Sequence, residues 1–204
     1  MKTTAILSLI LTTLLAGCST IPGAQIVRDI NQHSTQHSLQ SLPADIKPIT
    51  LGRKSIESKL EKTDAVIQLE GYASYFKLFK LDTMDSGEAR FKLQALCDCL
   101  GFDKRLIVPM VYFLSESGEI LATTQPEYSI NREFFTDPVS LMFEATVDLG
   151  KLKYIVVAAN NLQPDRPVKG FDPFVSSGAN GVIVFVDINN YPVGAFRLGY
   201  SKVK

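Results

Sequence analysis

A chain of 204 residues with 46% hydrophobic and 21% charged side chains suits one packed domain with room for a tail. Its 21 Lys and Arg balance 21 Asp and Glu, which gives no reason to expect a nucleic-acid partner, since that calls for a clustered basic face. Both histidines, His33 and His37, come early, so the rest of the chain lacks the general base of Ser-His-Asp or Cys-His chemistry.

In chain order, the first element is a leader. Lys2 is the only charge before Cys18, and Ala5–Leu11 is an apolar run far short of the ~20 residues a membrane span needs. That layout predicts a secretory signal. Leu15-Ala16-Gly17-Cys18 resembles the lipobox of bacterial lipoproteins. The resemblance implies cleavage after residue 17, acylation of Cys18, and a membrane contact made through lipid. Each buried CH₂ contributes about 0.8 kcal/mol, so several acyl chains make a stable anchor. Ser19 stands where an Asp would direct retention at the inner membrane, by resemblance to enterobacterial sorting rules. The expected location is therefore the outer membrane, periplasmic face.

Residues 18–41 follow as an expected tether. "STIPGAQIVRDINQHSTQHSLQS" is polar and weakly periodic, with at most transient helix over 24–31. A flexible stretch of about 25 residues would span on the order of 25–30 Å. His33 and His37 have i, i+4 spacing but no Glu between them and no third ligand nearby, so they read as solvated tether residues.

The domain is expected over 42–204. "LPADIKPITLG" is extended by its prolines, and Ser55–Lys62 and Ile130–Thr136 are the segments compatible with short helix. From Ala65 onward, short runs rich in β-branched and aromatic residues recur, among them "YASYFKLFKLD", "ARFKLQALC", "LMFEATVDL", "KYIVVAANN" and "VGAFRLGYS". Turn chemistry separates them at Asp85-Ser86-Gly87, Ser117-Gly118, Asp148-Leu149-Gly150 and Asn189-Asn190-Tyr191-Pro192. The pattern predicts an all-β fold, an antiparallel β-sandwich of jelly-roll or immunoglobulin-like type, behind a disordered N-terminal tether. Cys97 and Cys99 fall on one face of a strand. They read first as two buried neighbours, with a local disulfide as the alternative and zinc disfavoured for want of two more thiols.

Catalytic signatures are sparse. No phosphate-binding motif occurs, and "SSGANG" (176–181) precedes a strand rather than a helix. Asp82, Asp85, Asp172 and Asp187 all lie in turn-like settings, where Asp serves the backbone. No catalytic residue, metal or cofactor is therefore assigned. The candidate binding residues are loop aromatics, Tyr128, Phe134, Phe135, Phe171 and Phe174, expected at an end of the sandwich.

Residues 66–200 resemble the maltose operon periplasmic protein (MalM) family. The resemblance lies in ordered blocks: "GYASYFKLFKLD", "VPMVYFLSESGEILATTQPEYS", "LMFEATVDLGKLKYIVVAANNL" and "SSGANGVIVFVDINNYPVGAFRLGY". The chain ends at Lys204 without the Pro/Ala-rich linker and helical segment of longer members, and it carries a lipobox that not every member has. The resemblance implies a non-enzymatic periplasmic accessory protein of maltose or maltodextrin uptake, with an oligosaccharide or an envelope protein as partner. The alternative is an envelope assembly or adaptor lipoprotein docked on a membrane complex. A secreted carbohydrate-active enzyme is disfavoured.

Overall fold

The computed structural model describes residues 21–32, 37–42, 44–82, 86–99, 104–124, 129–131, 139–171, 174–177 and 183–203. Two sheets form the sandwich. The six-stranded sheet has the order β1-β4-β11-β7-β8, with β3 also paired to β4. Its strands are β1 (Ile49–Leu51), β3 (Val66–Leu69), β4 (Tyr72–Leu81), β7 (Pro109–Leu114), β8 (Ile120–Thr123) and β11 (Tyr154–Ala159). β1 runs parallel to β4 and the other pairs are antiparallel. The antiparallel five-stranded sheet has the order β2-β15-β5-β10-β9, from β2 (Ile56–Leu60), β5 (Glu88–Leu96), β9 (Ser129–Asn131), β10 (Ser140–Asp148) and β15 (Gly194–Lys202). Two small ladders complete it: β12 (Phe174–Ser177) with β13 (Ile183–Val186), and β6 (Lys104–Leu106) with β14 (Ile188–Asn190).

Side-chain alternation decides what faces what. On β5, Ala89, Phe91, Leu93 and Ala95 are buried while Glu88, Arg90 and Lys92 are exposed. Leu141, Phe143 and Val147 of β10 and Phe196 and Leu198 of β15 join the buried side. Across the core they meet Phe79, Val111, Phe113, Ile155 and Val157 of the other sheet. Phe79 packs edge-on against Phe196 with ring centroids 6.0 Å apart, and Phe91 lies 4.9 Å from Phe113.

β11 does not alternate, because both of its faces are covered. Val156 and Ala158 point away from the main core into a second cluster with Phe76, Leu78 and Leu114, roofed by Leu39 with Leu42 and Ile46 packed against it. Tyr72 and Tyr112 share a hydrogen bond in this layer, and burial is the main cause that raises both phenol pKa values above the ordinary 10.0.

The expected tether is not a tether where it is described. Helix α1 (Gly23–Asn31) buries Ile26 and Ile30, one turn apart, against Val66, Ala73, Tyr75 and Tyr191. Pro22 precedes it and supplies no side-chain cap. Instead the Asp165 carboxylate accepts the Gly23 and Ala24 N–H groups at 2.8 Å each, satisfying two orphan donors where negative charge is favoured. A Cβ on Gly23 would sit 2.7 Å from the Asp165 carboxylate oxygen, so this approach needs glycine. The Tyr191 hydroxyl also donates to the Ile21 carbonyl at 2.6 Å. Further on, the His37 N–H donates to Val66 O and its carbonyl accepts from Gln68 N–H, while its ring lies edge-on to Phe76. His37 is thus docked rather than solvated; His33 lies outside the described residues.

Three local expectations also change. Ile56–Leu60 is strand, not helix: Leu60 is buried and Ile56 packs on the core, while Glu57 and Lys59 face out, a period of two that pairing with β15 fixes. Residues 129–131 are strand β9, and 132–136 lie outside the described residues. Cys97 and Cys99 are joined as a disulfide with their Cα atoms 5.2 Å apart, rather than remaining two buried thiols. β5 ends at Leu96, and Asp98 bridges back to Arg105, so the chain bends and brings the two sulfurs together. Both cysteines are half-buried against the main core.

Candidate functional site

Most of the predicted binding aromatics fall outside the described residues: Tyr128, Phe134 and Phe135, as does Cys18. Phe171 is half-buried and packs against the main core, and Phe174 opens strand β12. Of the four aspartates, Asp82 lines a groove at the sandwich end, Asp187 is exposed between β13 and β14, and Asp85 and Asp172 lie outside the described residues. Among the described residues, no three His, Cys, Asp or Glu side chains gather in a way that could hold a metal, and no helix is long and apolar enough to cross a membrane.

Among the described residues, three concavities stand out on the surface. The first, about 1180 Å³, lies at the end where the β4–β5, β7–β8 and β10–β11 connections meet. Its charges are mixed, with Lys80, Lys151 and Lys153 beside Asp82, Glu116 and Glu119, and Lys153 pairs with Glu116 at 3.2 Å. The second, about 290 Å³, lies near α1 beside Asn190. That side chain is spent on structure: its amide donates to Asn160 O and Gln163 O and accepts from Val108 N–H.

The third is chemically distinct. A groove of about 330 Å³ opens on the outward side of the five-stranded sheet, lined by Arg53, Arg90, Lys92 and Arg197 and by no acidic residue. Sheet register brings the cations together. Lys92 stands opposite Gly199, Arg90 opposite Ser201, and Gln94 opposite Arg197. Ser55 packs directly against Gly199, where a Cβ would sit 3.0 Å from the Ser55 Cβ, so glycine is what allows this close approach.

The groove's polar groups are held in place. Gln94 is nearly buried, and its Nε2 donates to the Ser140 hydroxyl at 2.9 Å. That fixes Oε1 to accept from Arg197 Nη1 at 3.3 Å, while Nη2 of the same guanidinium reaches Glu57 at 3.4 Å. Lys92 pairs with Glu144 on the far strand at 2.9 Å. Arg90 is exposed and has no side-chain partner among the described residues. Sequence reasoning passed over this cluster because its cations come from separate strands and cancel against acids elsewhere in the total. Its one local signal was Arg90, Lys92 and Gln94 alternating on one strand face. No family model, curated protein or solved structure matches the chain.

Proposed function

We propose that this protein is a lipid-anchored binding domain of the bacterial envelope, facing the periplasm from the outer membrane and serving carbohydrate uptake as a non-catalytic accessory. The anchor is supported by Leu15-Ala16-Gly17-Cys18, and the link to maltodextrin by the resemblance of residues 66–200 to the MalM family. The observation that carries the reading is the short path from Cys18 to a docked helix. From Cys18 to Gly23 the chain reaches about 17 Å at full extension, at ~3.3–3.6 Å per residue. Acyl chains on Cys18 would hold the α1 end of the sandwich against the bilayer instead of letting it range on a long tether. The open face of the five-stranded sheet then remains available to a soluble partner.

Labelled palmitate should enter the wild-type chain and not Cys18→Ala, and the wild type should fractionate with the outer membrane. A strain lacking the protein should take up maltodextrin more slowly at limiting concentration. Equal labelling of both chains would overturn the anchor, and unchanged uptake would overturn the transport assignment.

A further inference from the structure

We propose that the groove formed by Arg53, Arg90, Lys92 and Arg197 is a binding site for a phosphate-bearing saccharide. The charge pattern carries the anionic half of this assignment. Four cations line a space of about 330 Å³, at the small end of the range for ligand pockets. Arg90 and Lys92 are two residues apart on one strand and project from the same face, about 6.5–7 Å apart along it. Arg197 is already oriented by Gln94 and Glu57, so its guanidinium is presented in a fixed direction. Arginine forks of this kind match phosphate oxygens in pairs, while a lysine adds a point charge.

Glu57 and Glu144 do not block the site. Each stands on a neighbouring strand, outside the groove, and pairs with its cation across an exposed contact. Exposed pairs of this kind are weak and exchange readily with another anion. Nothing among the described residues competes for the Arg90 side chain.

The neutral lining carries the saccharide half. Between the cations lie the Gln94 amide and the Ser55 and Ser201 hydroxyls, which donate and accept hydrogen bonds as sugar hydroxyls require. An inorganic anion would use the cations and leave these groups to water.

The groove is also placed away from the proposed anchor. Helix α1 packs on the start of β4, whereas Arg90 lies near the start of β5, just after β4 has finished at the other end of the sandwich. The ligand therefore comes from the compartment and not from the headgroups under the domain.

The test uses the full-length chain in detergent, titrated with glucose 1,6-bisphosphate, glucose, inorganic phosphate, and phosphatidylcholine vesicles carrying lipid A. Glucose 1,6-bisphosphate should bind more tightly than inorganic phosphate, weaken as salt is raised, and lose about tenfold or more in affinity in Arg90→Ala/Lys92→Ala. Lipid A vesicles should not bind; vesicles that bind, and lose binding in the same variant, would overturn the assignment to a ligand free in the compartment. Glucose binding as well as its bisphosphate, inorganic phosphate matching it, or affinity unchanged in the double variant would each overturn the site. Both substitutions are on exposed side chains, and circular dichroism of the variant checks that the sandwich is intact. The inference is separate from the anchor, since palmitate labelling survives its failure.

Discussion

The two sheets of the sandwich differ in what lies over their outer faces. The six-stranded sheet is roofed: α1 covers Ala73 and Tyr75, and Leu39, Leu42 and Ile46 cover Phe76, Leu78 and Val156. The five-stranded sheet is open, and its outer rows read Arg90, Lys92, Gln94 against Glu144, Arg197 and Glu57. A roofed sheet must be apolar on both sides, and β11 accordingly reads Tyr-Ile-Val-Val-Ala-Ala with its last five residues buried. An open sheet alternates, as β5 does from Glu88 to Leu93. The segment ahead of the first strand is therefore part of the fold, and chemistry with the surroundings belongs to the other side.

The largest test of this contrast is to remove the roof. A chain beginning at Ile21 should fold, whereas one beginning at Leu42 loses Ile26, Ile30 and Leu39 from buried positions. Each large apolar side chain removed from a core costs about 2–5 kcal/mol, so truncation should leave a domain marginal or unfolded by calorimetry. Equal melting temperatures for the two chains would mean that residues 21–41 are an ornament on an independent sandwich.

Alkali should attack the same layer. The Tyr72 pKa is raised above the ordinary 10.0 first by burial and then by Tyr112. In the folded state the phenol stays protonated at a pH where the unfolded chain has released its proton. Its contribution is complete below pH 10 and is lost as pH rises through the folded value, at up to about 1.4 kcal/mol per pH unit. Absorbance titration should show late-ionising tyrosines whose ionisation coincides with unfolding, and Tyr72→Phe should flatten the alkaline fall in stability. A variant with the same alkaline midpoint as the wild type would contradict this.

The smallest effect expected is at the helix cap. Asp165→Ala should cost about 0.5–2 kcal/mol, the usual range for a lost cap. Amide exchange should quicken at Gly23 and Ala24, the two N–H groups that Asp165 holds, while β5 and β10 stay protected. Uniform loss of protection across both sheets would mean that the cap supports the whole sandwich and not the roof alone.

How much of this was legible in the sequence follows from how local each signal is. The sandwich was readable because Ala89-Arg90-Phe91-Lys92-Leu93 and its counterparts encode strand, face and burial within a few residues. Ser55–Lys62 is compatible with helix as well as strand in sequence, because Ile56 and Leu60 fit a period of four as well as a period of two, and only the partner strand β15 decides between them. Helix α1 looked transient because its cap is supplied by Asp165, at a sequence separation of 142. The basic groove was invisible for a similar reason: Lys92 and Gly199 become neighbours only through the β5–β15 register. Balanced totals of charge then hid a local cluster of cations. The paired cysteines turned on a bend at the end of β5 that strand alternation does not announce.

The contact between Asp165 and the first turn of α1 also sets an order of events. A chain made at roughly 5–20 residues per second needs about 7–30 s to extend across a separation of 142 residues. Throughout that interval the helix lacks the carboxylate that completes its first turn, and Tyr191, which holds Ile21, arrives later still. A nine-residue helix with no cap of its own is marginal in water. Residues 23–31 thus reach their docked form only when synthesis is nearly over. Under the anchor proposed above, acylation at Cys18 would precede this docking, and closure of the fold would follow it.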